Sequence, residues 1–87
     1  MISEVGSPLG AARCGFRGRI QMLRVDDDAS GLGPDEIERR LIELGFVEGA
    51  AVEVLHEGPL GGDPIAVRVD NATVALRRRE AMAILVI

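Results

Sequence analysis

The sequence predicts a mainly β domain, a small SH3-like barrel of about five strands with one α-helix inserted between the first two strands. Three observations predict this class. Short segments that alternate apolar and polar residues recur between turn-forming residues, and one early segment has helical periodicity instead. The chain has 87 residues, which suffices for one core. A barrel would close the edges that short strands otherwise expose.

The first strand is predicted over residues 17–25 and is followed by a polar, glycine-containing loop over residues 26–33. Ile20 and Met22 fall on one face of this strand, and the alternation breaks at Leu23. The break leaves the end of this strand less well defined than its start.

The helix is predicted to begin at Pro34 and end at Leu44. Proline suits the first helical position because the N–H that it lacks would have no partner there. Ile37, Leu41 and Leu44 recur at helical spacing and form one apolar stripe. Gly45 follows this stripe and is typical of the left-handed residue that ends a helix.

The rest of the chain predicts strands over residues 51–57, 65–69, 73–77 and 83–87, with one helical turn over residues 78–82. Strict alternation places His56 on the same face as Val52 and Val54, which predicts a packed or edge-positioned histidine. Residues 70–72 indicate a tight hairpin turn, because Asn71 tolerates positive φ.

The first 13 residues are rich in Gly, Ser, Pro and Ala and predict a flexible leader, which leaves residues 14–87 for the barrel domain. The leader lacks the basic and apolar regions of a secretory signal. The longest apolar stretch, residues 81–87, is far shorter than the roughly 20 residues of a membrane span. A cytoplasmic protein that does not insert into the membrane is therefore expected, and the unpaired Cys14 agrees with a reducing compartment.

Composition excludes several functions. All ten basic residues are arginines, so a P-loop lysine and Schiff-base chemistry are ruled out. One cysteine and one histidine cannot supply a disulfide framework or a four-ligand zinc site. A net charge of -4 and only two aromatic residues argue against nucleic-acid binding. We therefore expect neither an enzyme nor a bound cofactor.

Metal binding is an open alternative. Residues 26–28 are three consecutive aspartates, whose oxygens suit divalent cations. Adjacent carboxylates point in different directions, however, which favours a solvated turn. His56 and Cys14 could add two ligands if the fold brought them together. No metal site is predicted from these residues.

The candidate partner-binding residues come from the loop over residues 59–64, which has an apolar tip, and from the arginine run at residues 77–79. They are Leu60, Gly61, Gly62, Asp63, Pro64, Arg77 and Arg78. The loop could equally be a rigid hairpin connection stiffened by its prolines. Three arginines are few for a docking patch, which favours a solvated turn with Arg78 or Arg79 paired to Asp63 or Glu80.

Three segments resemble the FeoA family of small bacterial proteins that accompany ferrous-iron uptake. They are residues 40–49 with the following Val52-Glu53-Val54, residues 59–66, and residues 74–78 with Glu80-Ala81, Ile84 and Val86. The resemblance spans about residues 15–87 and implies an SH3-like barrel.

The resemblance also implies a non-enzymatic accessory role as a partner of FeoB, the membrane ferrous-iron transporter with a GTP-hydrolysing domain. Such a partner could recruit the chain to the inner face of the membrane. The alternative is a metal-binding or metal-sensing domain related to the C-terminal barrel of iron-dependent repressors, although no helix-turn-helix segment is predicted ahead of it. The sequence leaves weak self-association open.

Overall fold

The computed structural model describes residues 6–25 and 33–87. In chain order the elements are β1 (Ser7–Pro8), a 3-10 turn (Leu9–Ala11), β2 (Arg17–Leu23), α1 (Pro34–Glu43), β3 (Ala51–Glu57), β4 (Ile65–Val69), β5 (Ala72–Leu76), α2 (Arg78–Ala81) and β6 (Ile84–Val86). The six strands of the described residues form one antiparallel sheet in the order β1-β6-β2-β3-β4-β5. The prediction of a mainly β domain with one helix between the two strands predicted first is confirmed, and these two strands are β2 and β3 because the short β1 precedes them.

Residues 7–12 belong to the folded domain, although their composition predicted a flexible leader that extends to residue 13. Ser7 and Pro8 pair with Val86 and Leu85 of β6, and Leu9 is completely buried. The segment is ordered by partners at the opposite end of the chain, so its own composition carries no sign of this. The short strand β1 accounts for the one strand more than the sequence predicts.

A β-bulge bends β3 and changes the position of the histidine. Val54 pairs with Val67 while His56 pairs with Ala66, so Leu55 is the extra residue on its strand. His56 is therefore exposed, and the prediction from strict alternation that it lies on the same face as Val52 and Val54 is wrong.

A similar irregularity in β2 explains why the apolar alternation breaks there. The pairing with β6 shifts between Ile20 and Met22. Ile20 is buried, whereas Met22 is exposed and Leu23 packs against the core. The prediction that Ile20 and Met22 share an inward face is therefore wrong for Met22.

The end of α1 ties the helix to the core. Gly45 has a φ of +107°, and its N–H donates to the carbonyl of Ile42 at 2.9 Å. The N–H of Phe46 donates to the carbonyl of Leu41 at 3.0 Å. This is the Schellman arrangement, in which a left-handed glycine ends the helix and an apolar pair closes it. Leu41 and Phe46 are both buried, as the predicted stripe and cap require.

The core fills the space enclosed by the sheet and α1. Its buried members are Leu9, Ile20, Leu41, Phe46, Ala50, Val52, Val54, Ile65, Val67, Val69, Leu76, Ala81, Ile84 and Val86. No helix within residues 6–25 and 33–87 is long and apolar enough to cross a membrane.

Candidate partner-binding surface

The loop between β3 and β4 is closed by its own backbone. The N–H of Gly58 donates to the carbonyl of Pro64 at 2.8 Å, and the N–H of Gly62 donates to the carbonyl of Gly58 at 3.1 Å. Gly61 and Gly62 have φ values of +68° and +85°, which L side chains rarely adopt. Leu60 lies at the tip and is 74% exposed, the largest exposure of any large apolar side chain among the described residues.

The Arg78 side chain fastens this loop to two distant parts of the chain. Its Nε donates to the carbonyl of Gly62 at 2.9 Å. Its Nη1 donates to the carbonyls of Gly10 and Ala12 at 3.1 and 2.7 Å. Its Nη2 donates to Oε1 of Glu57 at 2.8 Å. Arg78 therefore joins the loop, the N-terminal segment and the end of β3.

Asp63 and Glu80 fix the start of α2. Oδ1 of Asp63 accepts the backbone N–H of Arg78 at 2.9 Å, at the first residue of the helix. Oε1 of Glu80 accepts the backbone N–H of Arg77 at 3.1 Å, and its Oε2 lies 3.2 Å from Nη1 of Arg40 in α1. The loop, α2 and α1 are thus held in one arrangement.

The structure brings the predicted partner-binding residues together. We call residues 59–64 together with Arg77 and Arg78 the loop–α2 surface. Leu60 and Arg77 are exposed, whereas the Arg78 side chain is only 23% exposed. The Arg78 guanidinium donates its hydrogen bonds within the protein, so Arg77 is the cation of this surface that faces solvent.

Residues missed by sequence reasoning complete the Arg78 network. A Cβ on Gly10 would clash with the carbonyl oxygen of Arg78, so no side chain fits there without a backbone shift. Oε2 of Glu57 also accepts the backbone N–H of Cys14 at 2.9 Å. These contacts join segments far apart in sequence, and neither spacing nor composition indicates them.

Two of the candidate metal ligands, Cys14 and His56, lie within the described residues. Cys14 and His56 are both exposed, and Sγ of Cys14 donates to the carbonyl of Leu55 at 3.1 Å. The aspartates at residues 26–28 lie outside the described residues. Within the described ranges, no group of three or more His, Cys, Asp or Glu side chains is placed to hold a metal ion.

Comparison with known proteins identifies the family. The FeoA domain model matches residues 7–87. FeoA of Stenotrophomonas maltophilia, solved with zinc, is 33% identical with a TM-score of 0.73, and the match covers 98% of this chain and 91% of that one. It is described as a prokaryotic SH3 domain protein, suggested to activate ferrous-iron transport. No curated protein sequence matches the chain.

Other solved structures share the fold. Iron(II) transport protein A of Clostridium thermocellum is 34% identical with a TM-score of 0.74, and the match covers 91% of this chain and 43% of that one. A manganese-dependent transcriptional repressor is 29% identical with a TM-score of 0.72, and the match covers 94% of this chain and 41% of that one. The chain thus spans less than half of each of these two relatives. With its SH3-like fold and the match over residues 7–87, the chain belongs to the FeoA family, whose role is accessory to ferrous-iron transport.

Proposed function

We propose that this protein binds the cytoplasmic part of a FeoB-type ferrous-iron transporter through the loop–α2 surface. Membership of the FeoA family supports the transport role. The observation that supports the choice of surface is the Arg78 network, which ties the loop that carries the exposed Leu60 to the start of α2, directly after the exposed Arg77. The protein acts in the cytoplasm, and its partner brings it to the inner face of the membrane.

A fixed loop suits this role. The entropy cost of ordering a flexible loop subtracts from binding affinity, and a loop held before binding avoids most of it. Leu60 offers an apolar side chain to bury in a pocket on the partner, and Arg77 offers a cation at the rim of the contact. Because the chain has only two aromatic residues, aliphatic and arginine contacts carry this interface.

The Leu60→Ala variant is expected to bind the cytoplasmic domain of the cognate transporter at least about tenfold more weakly, since burial of a leucine side chain is worth about 1.5–3 kcal/mol. Titration calorimetry with the purified transporter domain measures this change. The matched control is Val47→Ala, which shortens another exposed apolar side chain outside the loop–α2 surface and leaves the affinity unchanged. Equal losses in both variants, or no binding by the folded wild type, would refute the proposal.

The charge-reversing variant Arg77→Glu tests the polar part of the same surface. A rim charge acts mainly on the association rate and its salt dependence, so we expect slower association at low salt and little difference at high salt. Stopped-flow association at two ionic strengths checks this. The control is Arg13→Glu, which makes the same charge change at an exposed arginine outside the loop–α2 surface. An association rate that is unchanged in Arg77→Glu would remove Arg77 from the interface.

Metal sensing is the second candidate function. It is supported by the zinc in the Stenotrophomonas structure and by the likeness to a manganese-dependent repressor. Anaerobic calorimetry with Fe(II), Mn(II) and Zn(II) tests it. Stoichiometric binding that is lost on replacing His56, or the aspartates at residues 26–28, by asparagine would favour metal sensing over transporter binding. Absence of binding at millimolar metal would exclude it.

A further inference from the structure

The strand β5 forms an open edge of the sheet. It pairs along its whole length with β4, from Val69 opposite Ala72 to Ile65 opposite Leu76. Within the part of the chain that the structure describes, no strand pairs with its other side. Such an edge is a template for a further strand unless the protein blocks it.

Hydrogen-bond alternation shows which backbone groups of β5 face outward. The N–H of Asp70 donates to the carbonyl of Ala51 in β3 at 3.1 Å. In an antiparallel sheet successive residues bond to opposite neighbours, so the even residues of β4 bond to β3 and the odd ones to β5. By the register of the hairpin, Val74 bonds back to β4, and the N–H and carbonyl groups of Thr73 and Ala75 point away from the sheet.

Strand β5 lacks the features that usually prevent a further strand from pairing with a sheet edge. Residues 72–76 include no charged residue and no proline, and their pairing with β4 is regular, without a bulge. The side chains of Thr73 and Ala75, which point to one face of the sheet, are small and exposed. The opposite edge differs, because β1 is only two residues long and ends at Pro8. The exposed edge of β5 is therefore a surface on which another strand can be added.

We propose that β5 pairs in an antiparallel manner with β5 of a second copy of this protein. In the register that uses both outward residues, Thr73 lies opposite the partner's Ala75, and Ala75 opposite the partner's Thr73. Val74 then lies opposite the partner's Val74 at the twofold axis. Each outward pair exchanges both of its N–H and carbonyl groups, as antiparallel hydrogen-bonded pairs do.

The strand is complementary to itself in this register. Val74 is half-buried, and a directly opposed pair of β-branched side chains stabilises a sheet. In this register the start of β5, near Asp70, lies beside the end of the partner's β5, next to the partner's Arg77. Opposite charges are therefore close together at both ends of the paired strands. Arg68 lies on the outer face of β4 opposite Thr73. It is three strand spacings, about 14 Å, from the partner's Arg68, beyond the Debye length of about 8 Å at physiological salt.

The contact is small, since it rests on two hydrogen-bonded residue pairs and one apolar pair. An interface of this size falls below that of stable dimers and corresponds to transient association. The dimer therefore forms in the micromolar to millimolar range and leaves the loop–α2 surface of each copy accessible.

Amide hydrogen exchange of the full chain at increasing concentration tests the pairing residue by residue. The amides of Thr73 and Ala75 are expected to exchange rapidly in dilute solution and more slowly at millimolar concentration. The amide of Val74, which bonds to β4, is protected throughout. Equal exchange of Thr73 and Ala75 at both concentrations would overturn the proposal. Protection that arises only on adding the transporter domain would assign the edge to a different partner and overturn it as well.

Two charged variants test the register. Thr73→Lys and Ala75→Glu each place like charges near the twofold axis and are expected to weaken self-association about threefold or more in sedimentation velocity. An equal mixture of the two variants sets a lysine opposite a glutamate and restores association. Val47→Lys, an exposed substitution outside β5, is the control for net charge and has no effect. If Thr73→Lys associates like the control, the proposed pairing is wrong. Leu60→Ala leaves self-association intact, so this proposal and transporter binding fail independently.

Discussion

The Arg78→Ala variant is expected to lose about 2–4 kcal/mol of the free energy of unfolding. The substitution leaves the carboxylate of Glu57 and the carbonyls of Gly10, Ala12 and Gly62 without the guanidinium that now satisfies them. Hydrogen bonds to a charged donor are stronger than neutral ones. The side chain is 23% exposed, so water replaces part of the lost bonding and the loss stays below that of a fully buried ion pair.

Urea unfolding followed by circular dichroism measures the loss. The neighbouring Arg79→Ala is the matched control, because that side chain is exposed, and its effect stays within about 0.5 kcal/mol. The stability of Arg78→Lys is expected to fall between those of the two alanine variants, since one ammonium cannot reach all the acceptors that surround the planar guanidinium. Equal stability of Arg78→Ala and Arg79→Ala would show that the network contributes nothing.

Amide exchange of the Arg78→Ala variant distinguishes a global loss of stability from a local loosening of the loop. With Arg78 truncated, the loop retains its own backbone closure at Gly58 but loses its attachment to the N-terminal segment. Amides of residues 60–63 should then exchange faster, while those of β3 and β4 keep their protection under conditions where the variant is folded. Transporter binding is expected to weaken as well, because the loop is then flexible before binding and its ordering subtracts from the affinity.

The parts of the fold that the sequence predicts well are those governed by neighbours in the chain. The α1 helix follows from a proline at its first position, an apolar stripe at helical spacing and Gly45 at its end. The hairpin between β4 and β5 follows from the turn chemistry of Asp70 and Asn71, although it is Asp70 that takes the positive φ. Local rules suffice there because the deciding contacts lie within a few residues.

The parts that the sequence does not predict depend on contacts between distant segments. Ser7 and Pro8 are ordered by β6, and nothing in a Gly- and Ala-rich start indicates that partner. The bulge at Leu55 turns His56 outward, and period-2 alternation has no means of locating it. Bulges depend on how two strands meet, so they become visible only in the paired sheet.

The sequence indicates the residues of the candidate surface but not the hydrogen bonds among them. An apolar loop tip and an arginine run are visible as composition, and the structure bonds that loop to Arg78 through Gly62 and Asp63. The different use of Arg77 and Arg78 is not visible, because consecutive arginines look alike in a sequence. The carbonyls of Gly10 and Ala12, near the start of the chain, decide which of them turns inward.

Phe46 is where we expect the largest loss of stability. It is completely buried, has the largest volume among the fully buried side chains that the structure describes, and directly follows the glycine that ends α1. Phe46→Ala removes most of an aromatic side chain from the core and leaves a cavity, which costs about 3–5 kcal/mol. For a domain of this size that is a large share of a total stability of about 5–15 kcal/mol. The variant is therefore expected to unfold at a much lower urea concentration than the wild type, which urea unfolding followed by circular dichroism measures.

Phe46→Leu keeps the prediction measurable if the alanine variant does not fold. It retains an apolar side chain beside Leu41 and is expected to cost about 1–2 kcal/mol. Gly45→Ala provides the comparison for the helix end, because a Cβ at a φ of +107° is strained while its nearest neighbour, Val69, is at an ordinary 3.5 Å. That strain costs about 1–2 kcal/mol and creates no cavity. If Phe46 acts through the core, Phe46→Ala lowers stability well beyond Gly45→Ala; equal losses would mean that it acts only through the helix end.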